Sequence, residues 1–347
     1  DMVGFWILIF YTDTFGISAA AAGTIMLIAR FWDMASDPIM GIIADRTKTK
    51  WGKFRPYILW MALPYSVLAV LAFTTPNFGN TGKVIYAGVT YILLMTVFTA
   101  INLPYSSLGA VMTSDSYERA GLNSYRFIFA FVGQFIVSGT ALTLALYFGK
   151  GDSAKGYQYT LILFSVISFI LFMVTFKTTK ERVQPPKAQK ENLKEDFRNL
   201  FKNKPWVILF FVGIISFIMF AMQNLSIAYY FKYYIGKEEN VQLFNVIGTV
   251  ALIVAIPFSK PLAKRFGKRN VFLASSLLSG LFFCLLYLPG INDIYMIYGF
   301  NILAKMSYAP AVPLLWTMLA DTADYSEWKT GRRATGLTFS AATFAQK

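Results

Sequence analysis

The sequence predicts an all-α integral membrane protein with two pseudo-symmetric six-helix bundles, about eleven helices of which fall within this chain. Three observations carry that prediction. Apolar segments of membrane-spanning length recur from end to end, Lys and Arg gather in alternate loops, and one long polar stretch divides the chain into two related halves.

Hydrophobic residues make up 56% of the 347 and charged residues only 14%, where a soluble domain has about 25% charged. A helix needs about 20 apolar residues to cross a bilayer. On that measure the segments are roughly 2–17, 19–44, 55–75, 83–112, 120–148, 158–177, 205–235, 241–262, 270–289, 294–320 and 332–347. The first and last are short and read as truncated helices, with a twelfth expected beyond Lys347.

Charge orients the helices. The loops around 46–55, 114–119, 177–204, 260–269 and 327–333 hold most of the Lys and Arg, while the opposite loops hold only Lys83, Lys150, Lys155 and Lys237. The basic set is therefore cytoplasmic, and the expected location is the plasma membrane, multi-pass, or the inner membrane in a bacterium. Cytoplasmic loops account for the net charge of +14 without a nucleic-acid partner. The single cysteine, Cys284, excludes an intramolecular disulfide, and the absence of histidine removes imidazole-based triads and most zinc sites. No nucleophile–base pair is visible, so no enzyme activity and no cofactor are expected.

The long stretch KTTKERVQPPKAQKENLKEDFRNLFKNK carries Pro185-Pro186 and an amphipathic run at about 191–202. It divides the chain into an N-terminal bundle (1–177), a cytoplasmic linker (178–204) and an incomplete C-terminal bundle (205–347). GIIADRTKTKWGKFRP after helix two and SKPLAKRFGKRN after helix eight repeat one pattern, a small-residue helix end followed by a basic turn with Gly-Lys. Related halves on a long linker are a common transporter design.

Helix two holds the charges that need explaining. Arg30, Asp33 and Asp37 stand at i, i+3 and i+7 on one face, with Ser36 beside them. A charge at bilayer depth costs about 2.5–3.5 kcal/mol even on lenient insertion scales. Carboxylates four residues apart repel in low dielectric. A bound Na⁺ resolves this, as does a transported H⁺; the competing reading is an Arg30 ion pair that only locks helices. Helix four adds Thr99, Asn102 and Ser106 on one face near Pro104, either as ligands for a cation and a polar solute or as ordinary interhelical hydrogen bonds. Helix five carries Arg126, a fork of donors suited to sugar hydroxyls or to an anion, or else a snorkelling residue. Ser340, Thr343 and Lys347 share a face, placing Lys347 deep enough to need a polar cavity. Lys305 reads as mid-helix with no partner in view.

Two basic motifs read as cytoplasmic latches, ion-paired in one conformation and released in the other, or as topology signals alone. The first offers Asp45, Arg46, Lys53 and Arg55. The second, DTADYSEWKTGRR, follows helix ten and offers Asp324, Glu327 and Arg333.

RFWDMASDPIMGIIADRTKTKWGKFRP, NLPYSSLGAVMTSDSYERAGLNSYR and MLADTADYSEWKTGRRATGLTFS resemble the glycoside–pentoside–hexuronide:cation symporters, the melibiose permease family within the major facilitator superfamily. The likeness runs from about Tyr11 to Lys347. It implies the major facilitator fold and inward movement of a sugar or glycoside with Na⁺ or H⁺ by alternating access. It assigns Asp33, Asp37 and Thr99 to the cation, with Ser36 where a family member has asparagine. It assigns Arg126 and Lys347 to the sugar and puts Trp316 near an aromatic sugar contact. Asn102 stands where a family member has a sugar-binding aspartate, a departure that bears on substrate choice. Arg30 is expected to couple the two sites by holding the empty aspartates. A monomer in contact with membrane lipid is expected. The alternatives are a symporter of an amphipathic solute such as a lysolipid, and a membrane sugar sensor that does not transport.

Overall fold

The computed structural model describes residues 2–183, 193–237, 239–291 and 293–346. The first six long elements are α1 (Met2–Ile9, continued by a wider turn at Phe10–Thr14), α2 (Ala19–Arg46), α3 (Arg55–Ala72), α4 (Asn80–Met112), α5 (Ser116–Gly149) and α6 (Ser153–Thr178). A short amphipathic helix, α7 (Leu193–Lys202), falls where the linker pattern predicts it. Then come α8 (Lys204–Tyr229, continued by a wider turn at Tyr230–Ile235), α9 (Asn240–Ala255), α10 (Ser259–Phe266) and α11 (Lys268–Leu285). The last are α12 (Ile294–Tyr308), α13 (Ala311–Thr330) and α14 (Thr335–Gln346). Among the described residues there is no strand beyond one isolated bridge between Thr49 and Gly52.

Local chemistry sets the boundaries. Ser18 Oγ accepts from Ala21 N (3.2 Å) at the start of α2, and Asp152 Oδ1 accepts from Lys155 N (3.1 Å) at the start of α6. Asp115 Oδ1 accepts from Tyr117 N (2.7 Å) at the start of α5. Each side chain satisfies an amide that the first helical turn leaves open. Gly331 closes α13 in the left-handed region at φ 67°, which glycine adopts without a Cβ penalty.

Two predicted spans differ from the structure. Segment 241–262 is broken by a tight turn at Ile256–Phe258, where Pro257 supplies no N–H, so α9 and α10 are separate pieces. Segment 294–320 breaks at Ala309–Pro310 and then runs on helically to Thr330. DTADYSE is therefore the last part of α13 and not a loop. Hydropathy falls at Asp321 and ends the membrane portion, but no Gly or Pro interrupts the helix between Leu314 and Thr330.

In the first half α3 packs on α4 and α6, α5 on α6, and α2 on α4, around Phe10, Tyr11, Phe15, Phe73, Tyr91 and Leu94. In the second half α12 packs on α9 and α11 and α14 on α8, with Phe231, Phe244 and Ile297 in a smaller core. Outer faces expose large apolar side chains such as Leu27, Phe31, Leu146 and Leu277, a surface suited to lipid and costly in water. Seven helical stretches among the described residues, including Asn80–Met112 and Ser153–Thr178, are long and apolar enough to cross a membrane.

The halves meet along α2–α14, α5–α13, α5–α10 and α4–α14. The α2–α14 crossing depends on two glycines. A Cβ at Gly41 would lie 2.8 Å from the Gly336 carbonyl oxygen, and one at Gly336 would lie 2.5 Å from that of Gly41. Small residues let membrane helices approach this closely.

Candidate functional site

Asp33 and Asp37 are both buried, at 1% exposure, on the inner face of α2. Thr99 on α4 is buried against them and its Oγ1 donates to Asp37 Oδ1 (3.2 Å). The spacing brings this about. A step of four returns to the same face of a helix, and α2 packs on α4. Prolines leave a backbone carbonyl open in each of these two helices. Pro38 in α2 and Pro104 in α4 have no N–H, so neither can bond the carbonyl one turn earlier, those of Met34 and Ala100. Two carboxylates and a hydroxyl form an all-oxygen group, the chemistry hard cations favour.

Ser36 Oγ donates to Asp33 O (3.2 Å) within its own helix. Arg30 and Asp33, one turn apart on α2, both act electrostatically on Tyr91 of α4. Trp32 Nε1 donates to Thr96 Oγ1 (2.7 Å) and fixes α2 against α4 on the neighbouring face.

Arg126 and the side chains around it form a second group. Arg126 on α5 donates through Nη2 to Ser106 Oγ on α4 (2.7 Å). Its guanidinium sits over three rings, Tyr105 at 4.9 Å, Trp316 at 5.1 Å and Phe127 at 5.6 Å. Trp316 belongs to α13, so this stack joins the two halves, and Trp316 in turn stacks on Phe339 of α14 (6.0 Å). Asn102 is half-buried on α4, between Thr99 and Ser106 in sequence. One turn before Arg126, Asn123 Nδ2 donates to Thr317 Oγ1 (3.0 Å), another bond between halves. Lys347 lies outside the described residues. Lys305 lies apart from both groups, on α12 between the rings of Phe283 (5.4 Å) and Phe220 (5.9 Å).

The cytoplasmic ends are joined by polar contacts. Asp45 at the end of α2 accepts from Gly336 N (2.9 Å) and Leu337 N (3.0 Å), capping α14 of the other half. Arg333 Nη1 meets Asp324 (2.6 Å) and Glu327 (2.7 Å), and its Nη2 donates to Ala110 O of α4 (3.3 Å). The centre of the network escaped the sequence reading. Arg119 is 1% exposed. It donates to Thr113 O (2.9 Å) and Ser114 O (3.3 Å), and it pairs with Asp321 and Asp324 of α13. Lys268 joins Asp321 and Ser116. Arg119 read as an ordinary loop cation; only its burial and its partners far along the chain distinguish it.

Of the remaining latch candidates, Arg55 makes its contacts within the first half. Arg55 Nη2 donates to Phe176 O (2.5 Å) and its guanidinium lies over the Phe176 ring, so it ties α3 to α6 and does not reach the second half. Glu181 accepts from the backbone N–H groups of Lys53 (2.9 Å), Phe54 (2.7 Å) and Arg55 (2.9 Å), capping α3. Lys53 lines a small pocket with Asp45, Glu181 and Arg333, and Arg46 ends α2. In the linker helix, Asp196 receives Arg332 (2.8 Å).

The family model described as "MFS/sugar transport protein" matches residues 2–347. The putative glycoside/cation symporter YagG of Escherichia coli (strain K12) is 36% identical over 99% of this chain and 75% of its own length. The isoprimeverose transporter of Lactiplantibacillus pentosus is 37% identical over 100% of this chain and 73% of its own. Among solved structures, the proton:xylose symporter XylE superposes with a TM-score of 0.66 over 99% of this chain and 82% of that chain, at 13% identity, a likeness of fold. With these matches over almost its whole length, the chain belongs to the glycoside–pentoside–hexuronide:cation symporters, multi-pass membrane transporters of the major facilitator superfamily and not enzymes.

Proposed function

We propose that this protein moves a sugar or glycoside inward with Na⁺ or H⁺ by alternating access between its two halves. The observation that carries the reading is the buried pair Asp33 and Asp37 with Thr99 bonded to Asp37 across α2 and α4. A cation arriving there would cancel carboxylate repulsion and draw α2 to α4. Asn102 and Ser106 lie on that same α4, and Ser106 holds Arg126. Order imposed at the cation site therefore reaches the groups placed to receive sugar hydroxyls. Trp316 would stack on the apolar face of the sugar ring and Arg126 would donate to its hydroxyls. Relatives described as a glycoside/cation symporter and an isoprimeverose transporter support this substrate class.

Each ligand then raises the other's affinity by the same factor. One charge moved through 100 mV is worth about 2.3 kcal/mol, enough to hold roughly a 50-fold sugar gradient. The contacts from Asp45, Arg119 and Arg333 to the other half would act as the cytoplasmic gate, closed in the conformer described. Uptake into proteoliposomes, with and without a Na⁺ or H⁺ gradient, tests the proposal. Asp33→Asn and Asp37→Asn should each remove the stimulation by the cation gradient; unchanged stimulation would show that the cation acts elsewhere.

A further inference from the structure

A cavity of about 580 Å³ opens beside the cytoplasmic gate, where the ends of α4, α5 and α6 meet α10 of the other half. Three cations line it, Lys180 and Arg182 from the stretch after α6 and Lys260 from α10. Among the described residues none of the three forms an ion pair. The opposing charges are few. Glu118 lies on the wall with Oε2 held by Thr113 Oγ1 (3.0 Å), and Asp115 acts on Lys260 from the start of α5. The cavity therefore has a surplus of positive charge.

Its construction is specific. Lys260 crosses from the second half over Gly121 of α5, where a Cβ would sit 3.1 Å from Lys260 Cδ. The missing side chain leaves the lane along which the lysine stem reaches the cavity. The opposite wall is apolar and opens outward, through Leu122 and Tyr125, both exposed on the outer face of α5. A soluble anion needs only the cations. A basic cavity at the cytoplasmic membrane surface with an apolar exit toward the hydrocarbon suits an amphiphile whose phosphate is held inside while its chains leave along the helix.

We infer that this cavity binds the phosphate of an anionic phospholipid of the cytoplasmic leaflet, held by Lys180, Arg182 and Lys260, with its acyl chains over Leu122 and Tyr125. Because Lys260 belongs to the other half, the complete site exists when the cytoplasmic ends are together.

The test uses the purified full chain in neutral detergent, titrated with phosphatidylglycerol, phosphatidylcholine or inorganic phosphate. Thermal unfolding and native mass spectrometry are the readouts. Phosphatidylglycerol should raise the melting temperature and leave one retained lipid per chain; phosphatidylcholine and phosphate should do neither. Lys260→Gln and Arg182→Gln should each weaken the response roughly fivefold, as expected when one of three phosphate contacts is lost. Lys180→Gln, at an exposed position without a described ion pair, should fold as the wild type and lose affinity similarly. An equal effect of inorganic phosphate, equal retention of phosphatidylcholine, or an undiminished phosphatidylglycerol response in all three variants would overturn the assignment.

Discussion

Two clusters of charge, one at the cytoplasmic ends of α5, α11 and α13 and one deeper on α2, are built on opposite principles. At the cytoplasmic end, Asp321, Asp324 and Glu327 face Arg119, Lys268 and Arg333, three anions with three cations, partly open to water. Deeper in the first half, Asp33 and Asp37 are both buried and share one helical face, with a neutral hydroxyl donating to Asp37. A balanced network suits a contact that must form and break between rigid halves. Two like charges side by side suit a place for a mobile cation. Buried ion pairs gain little net stability, because desolvation offsets their attraction, and a gate needs contacts that are not too strong.

The comparison breaks first at the deep pair. If Asp37 binds the coupling ion, Asp37→Asn should abolish cation dependence of sugar binding, a loss of roughly 5- to 150-fold, the usual range of coupling between two sites. Isothermal titration with and without the cation measures it.

The next effect is at the gate. Arg119→Gln leaves Asp321 and Asp324 without their shared guanidinium, and breaking a buried pair costs about 3–5 kcal/mol. Asp321 and Asp324 are 28% and 36% exposed, so solvent should reduce this toward the lower bound. Hydrogen exchange at Gly336 and Leu337, whose amides Asp45 holds across the interface, should speed up. Unchanged exchange would show that Arg119 does not hold the gate.

Gly41→Ala tests the same closure through packing. Its methyl would meet the Gly336 carbonyl at 2.8 Å and force α2 from α14. An overpacked contact costs about 1–3 kcal/mol, read as lower thermal stability together with faster exchange at Gly336.

A smaller effect is expected at Ser36, whose hydroxyl donates to Asp33 O within its own helix. Ser36→Ala should change cation affinity less than about threefold, the consequence of one helix-internal hydrogen bond worth under about 1 kcal/mol. A larger loss would make Ser36 a ligand after all.

The smallest effect concerns Asp115, whose carboxyl is held below the usual carboxylate range by the N–H groups of Tyr117 and Glu118. A lowered native pKa stabilises the fold above the unfolded value, about 3.9, and the benefit fades as pH falls below it. Acid unfolding of Asp115→Ala should thus converge with the wild type at low pH and diverge near neutrality.

Much of the fold was legible because hydropathy and charge act along the chain. The spans, the amphipathic run at α7 and the acidic pair on α2 all follow from spacing. Trp316 was legible only as a neighbourhood, since its contact with Arg126 depends on how α13 packs on α5. Arg119, Asp321 and Lys268 were not legible as a network, because exposed-looking loop charges carry no sign of partners two hundred residues away. The extension of α13 to Thr330 was hidden for another reason: hydropathy reports where lipid ends and not where a helix ends. Arg55 reads from sequence as part of a basic turn, and its contact with Phe176, which joins α3 to α6, was not legible there.

The most direct test is thermal stabilisation by a panel of sugars and glycosides, measured in Na⁺ and in K⁺ at two pH values, for the wild type and Asp37→Asn. At least one sugar should stabilise the wild type more strongly in Na⁺ or at one pH, and that dependence should vanish in Asp37→Asn. Stabilisation by sugar of equal size in every ionic condition and in both proteins would contradict a cation acting through Asp33 and Asp37.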